Sequence, residues 1–159
     1  MSIVVEALPE QQEQKQIGCE QKDAGELNSQ AKDFVELNYH DRCRPRQIVS
    51  TAGGRELALA LPRGTVLTDG VVLHRDQEVV VTVVAKPEQV VRIQPEDNRE
   101  LCVVAHHLGN WHRSLEALTD GSVLTEVDAP LEDWLKKHGI AYSIETRAYQ
   151  PNLKGNSHD

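Results

Sequence analysis

The chain has 159 residues, enough for one ordinary domain or two small ones. Only 39% of them are hydrophobic and 4% aromatic, so any core is aliphatic, and two small cores fit that composition better than one large one. The formal net charge of -8, from 25 acidic and 17 basic residues, argues against nucleic acid as a partner, because scattered basic groups on an acidic chain do not draw in a phosphate backbone.

Three cysteines, Cys19, Cys43 and Cys102, lie too far apart in sequence for a CxxC pair. An odd, sparse set argues against a disulfide framework and fits a reducing compartment. The start, Met1-Ser2-Ile3-Val4-Val5-Glu6, reads as carrying no basic leader, and no run approaches the ~18 apolar residues of a membrane span. The expectation is a cytoplasmic protein with no membrane partner.

In chain order, Ser2 to Ala7 reads as a short strand and Pro9 to Ala31 as a polar surface insertion. Phe34 to Tyr39 and Gln47 to Thr51 read as strands. The turn Gly53-Gly54 then leads to Arg55 to Leu61, where Leu57, Leu59 and Leu61 alternate as a half-buried strand requires. Pro62-Arg63-Gly64 and Asp69-Gly70 punctuate the short apolar pieces Val66-Leu67 and Val71 to Leu73. Val79 to Ala85 is a nearly continuous valine-rich run. Residues 1–86 are therefore predicted to form an all-β domain.

After Lys86-Pro87-Glu88 the order of elements changes. Gln89 to Gln94 predicts a strand, and Pro95-Glu96-Asp97-Asn98 the start of a helix whose apolar face is Leu101, Val104, Ala105 and Leu108. Gly109-Asn110 offers a place to end or bend it. Leu115 to Leu118 and Val123 to Val127 predict strands around Asp120-Gly121. Pro130 opens a second helix carrying Leu131, Trp134 and Leu135, with Lys136, Lys137 and His138 in its last turn and Gly139 as its stop. Ala141 to Tyr149 is the last strand. The fold class is α+β: an N-terminal β domain followed, over residues 87–149, by a ferredoxin-like β-α-β-β-α-β domain. Residues 150–159 read as a flexible tail.

Motifs for phosphate loops, dinucleotide binding, zinc proteases and serine hydrolases are absent from the sequence. Of the histidines, His40 and His74 fall among strand and turn residues, and His138 suits a helix C-terminus. His106 and His107, adjacent on a helix, point about 100° apart and are poorly placed to share one ion. His112 follows the Gly109-Asn110 break, where a side chain can project beyond the fold. One imidazole binds a divalent metal weakly, but a two-fold axis would bring the same residue from two copies together. Imidazole pairs suit nickel, copper and zinc alike.

Two stretches carry a resemblance. His107-Leu108-Gly109-Asn110-Trp111-His112 resembles the HLGNRH segment of the UreE urease accessory family. Asp41-Arg42-Cys43-Arg44-Pro45-Arg46, with Leu61 to Leu67 and Asp69-Gly70, resembles the N-terminal domain of the same family. The match runs in consistent order from about Phe34 to Tyr149.

The resemblance implies a homodimeric metallochaperone that delivers Ni2+ to apo-urease and is not an enzyme. His112 would bind the metal across the dimer, His158 would be an added tail ligand, and Zn2+ or Cu2+ would substitute in vitro. It further implies an N-terminal domain that docks partners, the urease accessory GTPase and the apo-urease assembly complex, to which the basic cluster Arg42, Arg44 and Arg46 is assigned. The sequence departs from the family pattern at Trp111, where Arg is usual, in lacking a His-rich tail, and at Glu126 to Ala129, where some relatives carry histidines. A protein-interaction module without specific metal delivery is the alternative function. A small metal-dependent hydrolase is disfavoured, since an open catalytic metal needs three protein ligands in one site.

Overall fold

A computed structural model of the chain describes residues 3–6, 8 and 31–155. The insertion expected from Pro9 and the ligand candidate His158 lie outside the described residues. The chain divides into two compact units, Met1–Ala85 and Lys86–Asp159.

The first unit holds two three-stranded sheets. In one, β1 (Ile3–Val5) pairs in parallel with β4 (Glu56–Ala60), which pairs antiparallel with β3 (Arg46–Ser50). In the other, β2 (Ala31–Leu37) runs parallel to β6 (Val79–Ala85), which pairs antiparallel with β5 (Val72–Arg75). Period-two alternation decides which face is buried. On β6, Val79, Val81, Val83 and Ala85 point inward, and on β4 Leu57 and Leu59 do. Both sheets contribute to one aliphatic cluster, each Leu or Val of which stabilises the unit by roughly 1.5–3 kcal/mol on burial.

Two local expectations change here. Tyr39 ends no strand. Asn38 instead caps a single helical turn, α1 (Tyr39–Arg42), its side chain accepting from the Asp41 N–H at 2.8 Å. Val66-Leu67 forms no strand either, although Leu67 is buried. The two changes are linked through Arg42. Its carbonyl accepts from the Leu67 N–H at 2.9 Å, and its Nη1 donates to the Leu67 carbonyl at 3.2 Å. The guanidinium lies 5.6 Å from the centre of the Tyr39 ring. Arg42 is 1% exposed, so it ties the 61–71 loop to α1 and is not part of a docking cluster.

The second unit is ferredoxin-like. Its elements run β7 (Pro87–Ile93), α2 (Asn98–Asn110), β8 (Glu116–Ala117), β9 (Val123–Glu126), α3 (Ala129–His138) and β10 (Tyr142–Ala148). The sheet order is β10-β7-β9-β8 and every pairing is antiparallel. Val91, Ile93 and Val123 of the sheet meet Val104 and Leu108 of α2 and Leu131 and Leu135 of α3 in one core. Asp97 and Asp128 cap the two helices, accepting from Glu100 and Leu131 N–H groups, and left-handed Gly139 ends α3.

In the first unit the buried Asp33 carboxylate organises the β3–β4 turn. It accepts from the Gly53 and Phe34 N–H groups at 2.9 Å each and from Arg55 Nη1 at 3.2 Å. The Thr51 side chain first, then these donors, hold its carboxyl below the usual carboxylate range against the opposing cost of burial. A depressed carboxylate pKa gives stability that is complete above the unfolded value and lost as pH falls through the folded one. Asp33→Ala should destabilise this unit by about 1–3 kcal/mol at neutral pH. Gly53→Ala should destabilise it as well, because a methyl group there would sit 2.6 Å from Asp33 Oδ2. Urea melts of wild type and Asp33→Asn should differ most near neutrality and converge in acid.

Candidate metal centre

The helix α2 does not stop where its glycine suggests. Gly109 and Asn110 are still helical, Trp111 is the C-cap, and His112 takes up a left-handed backbone at φ 56°. Its N–H donates to the Gly109 carbonyl at 3.0 Å, and the Arg113 N–H donates to the Leu108 carbonyl at 3.0 Å. These two bonds form a Schellman closure, with His112 in the left-handed position that Gly usually fills. His112 is the one non-glycine residue with positive φ among the described residues. That conformation costs an L-residue with a Cβ roughly 1–2 kcal/mol. The imidazole is thus carried out of the helical line on an exposed residue, at a position where the backbone itself would favour no side chain.

Two sets of contacts hold this end of α2. Arg113 bridges to the next helix: Nη2 pairs with the Asp128 carboxylate and Nη1 donates to the Glu126 carbonyl at 3.1 Å. Asp128 is also the cap of α3, so one carboxylate joins the end of α2 to the start of α3. The second set is the tail. Leu115 and Leu153 exchange backbone hydrogen bonds at 2.8 and 3.0 Å, and the Asn152 amide accepts from the Ala117 N–H and donates to its carbonyl. Tyr149, fully buried, donates to the Ser114 carbonyl at 2.6 Å.

Gly155 then donates to Ser114 Oγ at 3.1 Å, and a Cβ on it would lie 1.8 Å from the His112 carbonyl oxygen. Only glycine lets the chain pass so close to His112. Over residues 150–155 the segment expected to be a flexible tail is therefore anchored, and the anchor lies against the backbone of His112.

The remaining histidines divide by environment. The His107 ring stacks on Trp134, with centroids 3.8 Å apart and planes 7° from parallel, and tilts against Trp111 at 4.1 Å. Its Nε2 is buried without a hydrogen-bond partner. Burial first, then the nearby His138, Arg113 and His106, push its pKa below the ordinary histidine value, so the ring is neutral packing between α2 and α3. Trp111, standing where the family pattern has Arg, is part of this wedge and also packs 5.5 Å from the Arg113 guanidinium. His138 sits at the end of α3, Nδ1 2.8 Å from the Trp134 carbonyl. His74 faces Asp76 at 2.9 Å, and His40 faces Arg44 at 3.1 Å.

Of the three arginines assigned to docking, only Arg44 and Arg46 are exposed. They border a groove of about 750 Å³ with Pro45, Pro62, Glu6 and Arg63. Arg63 borders the same groove, although in the sequence Pro62-Arg63-Gly64 reads only as turn punctuation. Gly155 was missed because close backbone approach leaves no mark on a polar tail sequence.

Models of two protein domains match the chain, one described as the UreE urease accessory protein N-terminal domain over residues 11–86 and the other as its C-terminal domain over residues 88–159. Proteins named Urease accessory protein UreE are similar over 115 residues, or 72% of this chain. That of Burkholderia lata is 37% identical, with 55% of its length covered, and that of Paraburkholderia xenovorans 40% identical, with 51% covered. That of Ralstonia nicotianae is 37% identical, with 54% covered. The chain thus spans about half the length of the curated relatives it matches.

Two outcomes test this description. His112→Gly should raise the thermal stability of the chain by about 1–2 kcal/mol by relieving the left-handed strain, whereas His112→Ala should not. A loss of stability in His112→Gly would contradict the strain. His107 has a lowered folded pKa, so the second unit should lose stability as pH falls below about 6.5, where the unfolded chain takes up the proton more readily. His107→Phe keeps the stack and should flatten that part of the stability–pH profile.

Proposed function

The chain belongs to the UreE urease accessory protein family, and on that premise we propose that it carries Ni2+ as cargo to apo-urease during assembly of the urease active site. The observation that carries this reading is His112, an exposed imidazole held off the end of α2 at an energetic cost to the backbone. Among the described residues no group of three or more His, Cys, Asp or Glu side chains is arranged to hold a metal ion. The described residues of one chain then offer His112 without a completed ligand set, and a symmetric homodimer would supply His112 twice. Few, exposed imidazoles bind nickel reversibly, as delivery demands, where a closed four-ligand cage would retain it. Zn2+ and Cu2+ suit the same donors and should compete in vitro.

His158 would add to this set from the tail, whose anchor at Gly155 lies three positions earlier and against His112. The chain works in the cytoplasm and catalyses no reaction in this reading; no helix among the described residues is long and apolar enough to cross a membrane. Arg44 and Arg46, joined by Arg63, are proposed to dock the urease accessory GTPase and the apo-urease assembly complex. That groove is also what favours the second reading, an interaction module without metal delivery.

Calorimetric titration with Ni2+ separates the two. His112→Ala should abolish tight binding while circular dichroism remains native, and binding by the wild type should weaken in acid, where protons compete with the metal for imidazole. If folded His112→Ala binds nickel as tightly as wild type, the metal assignment fails and the interaction module replaces it.

A further inference from the structure

Cys102 and His106 lie four residues apart on α2, a spacing that sets two side chains on one helical face with Cβ atoms about 5–6 Å apart. Both are exposed, Cys102 is a free thiol, and neither is engaged in a hydrogen bond or ion pair among the described residues. They border one shallow cavity of about 340 Å³ together with Arg99, Val103, His107 and Trp134. His112 does not line it. The pairing of His106 with His107 fails because adjacent helical residues diverge and His107 is committed to its stack. Pairing with Cys102 meets neither obstacle.

We propose that Cys102 and His106 form a second metal site, which takes one borderline divalent ion, such as Ni2+ or Zn2+, through a thiolate sulfur and an imidazole nitrogen. On binding, the Cys102 thiol loses its proton to solvent as the sulfur–metal bond forms, and neutral His106 donates a ring lone pair; no oxidation state changes. Water fills the remaining positions, since the described residues contain no third ligand arranged with these two. A site of two protein ligands exchanges its ion faster than a closed one. It would serve as a transient holding point on the same helix whose end carries His112. The proposal does not depend on His112 binding nickel.

The test titrates the intact, reduced chain with Co2+ as the spectroscopic probe, in a non-coordinating reductant, and follows the near-ultraviolet thiolate-to-metal charge-transfer band. The band should appear in wild type, Cys43→Ser and His112→Ala. It should be lost in Cys102→Ser and shift to higher Co2+ concentration in His106→Ala, with circular dichroism unchanged in each. No band in wild type at saturating Co2+, a band that survives Cys102→Ser, or an unshifted titration in His106→Ala would overturn the site. A band lost in folded His112→Ala would assign the thiolate to the His112 centre and overturn a separate site.

Discussion

The second unit depends on how α2 ends. A helix closed by a Schellman pair of hydrogen bonds needs a left-handed residue just past its cap, and glycine meets that need without strain. This chain has a glycine three residues earlier and leaves it inside the helix, placing His112 at the left-handed position instead. The closing bonds from His112 and Arg113, the Arg113–Asp128 pair that reaches the cap of α3, and the passage of Gly155 beside the His112 carbonyl all converge on that turn. Strain of this kind persists only where surrounding contacts over-determine it, and it concentrates at functional sites. A histidine held where the backbone would prefer glycine is the observation behind the metal role proposed for His112.

Aromatic packing makes a related division of labour among the histidines. Trp111 and Trp134 flank His107 in a part-buried stack that packs α2 against α3 and leaves His107 Nε2 buried. The Trp111 ring completes the packing against His107 and lies 5.5 Å from the Arg113 guanidinium, which pairs with Asp128. The described core of the first unit is aliphatic. It relies on alternating valines and leucines and on one buried carboxylate, Asp33, to fix its β3–β4 turn.

Much of this was legible in the sequence where a repeating pattern carried it. The alternation of Leu57, Leu59 and Leu61, the valine run from Val79, and the Leu101-Val104-Ala105-Leu108 face each marked an element, and the order of elements after Lys86 gave the ferredoxin-like unit. What escaped was long-range and polar. Arg42 reads as one of three exposed cations, yet its guanidinium reaches Leu67 across 25 positions and is buried. The segment after Pro151 reads as mobile because it is polar, yet Asn152 matches the backbone of Ala117 with both amide atoms. The position of His112 was readable from the motif; its left-handed backbone was not, because Gly109 offered a cheaper stop nearby.

The central claim is that His112 acts as a symmetric pair around one nickel ion. The most direct measurement is the stoichiometry of the tight nickel-binding step, taken with the mass of the nickel-bound species by sedimentation. The account predicts one tightly bound nickel per two chains in a dimeric complex. One tightly bound nickel per chain in a monomeric complex would contradict it.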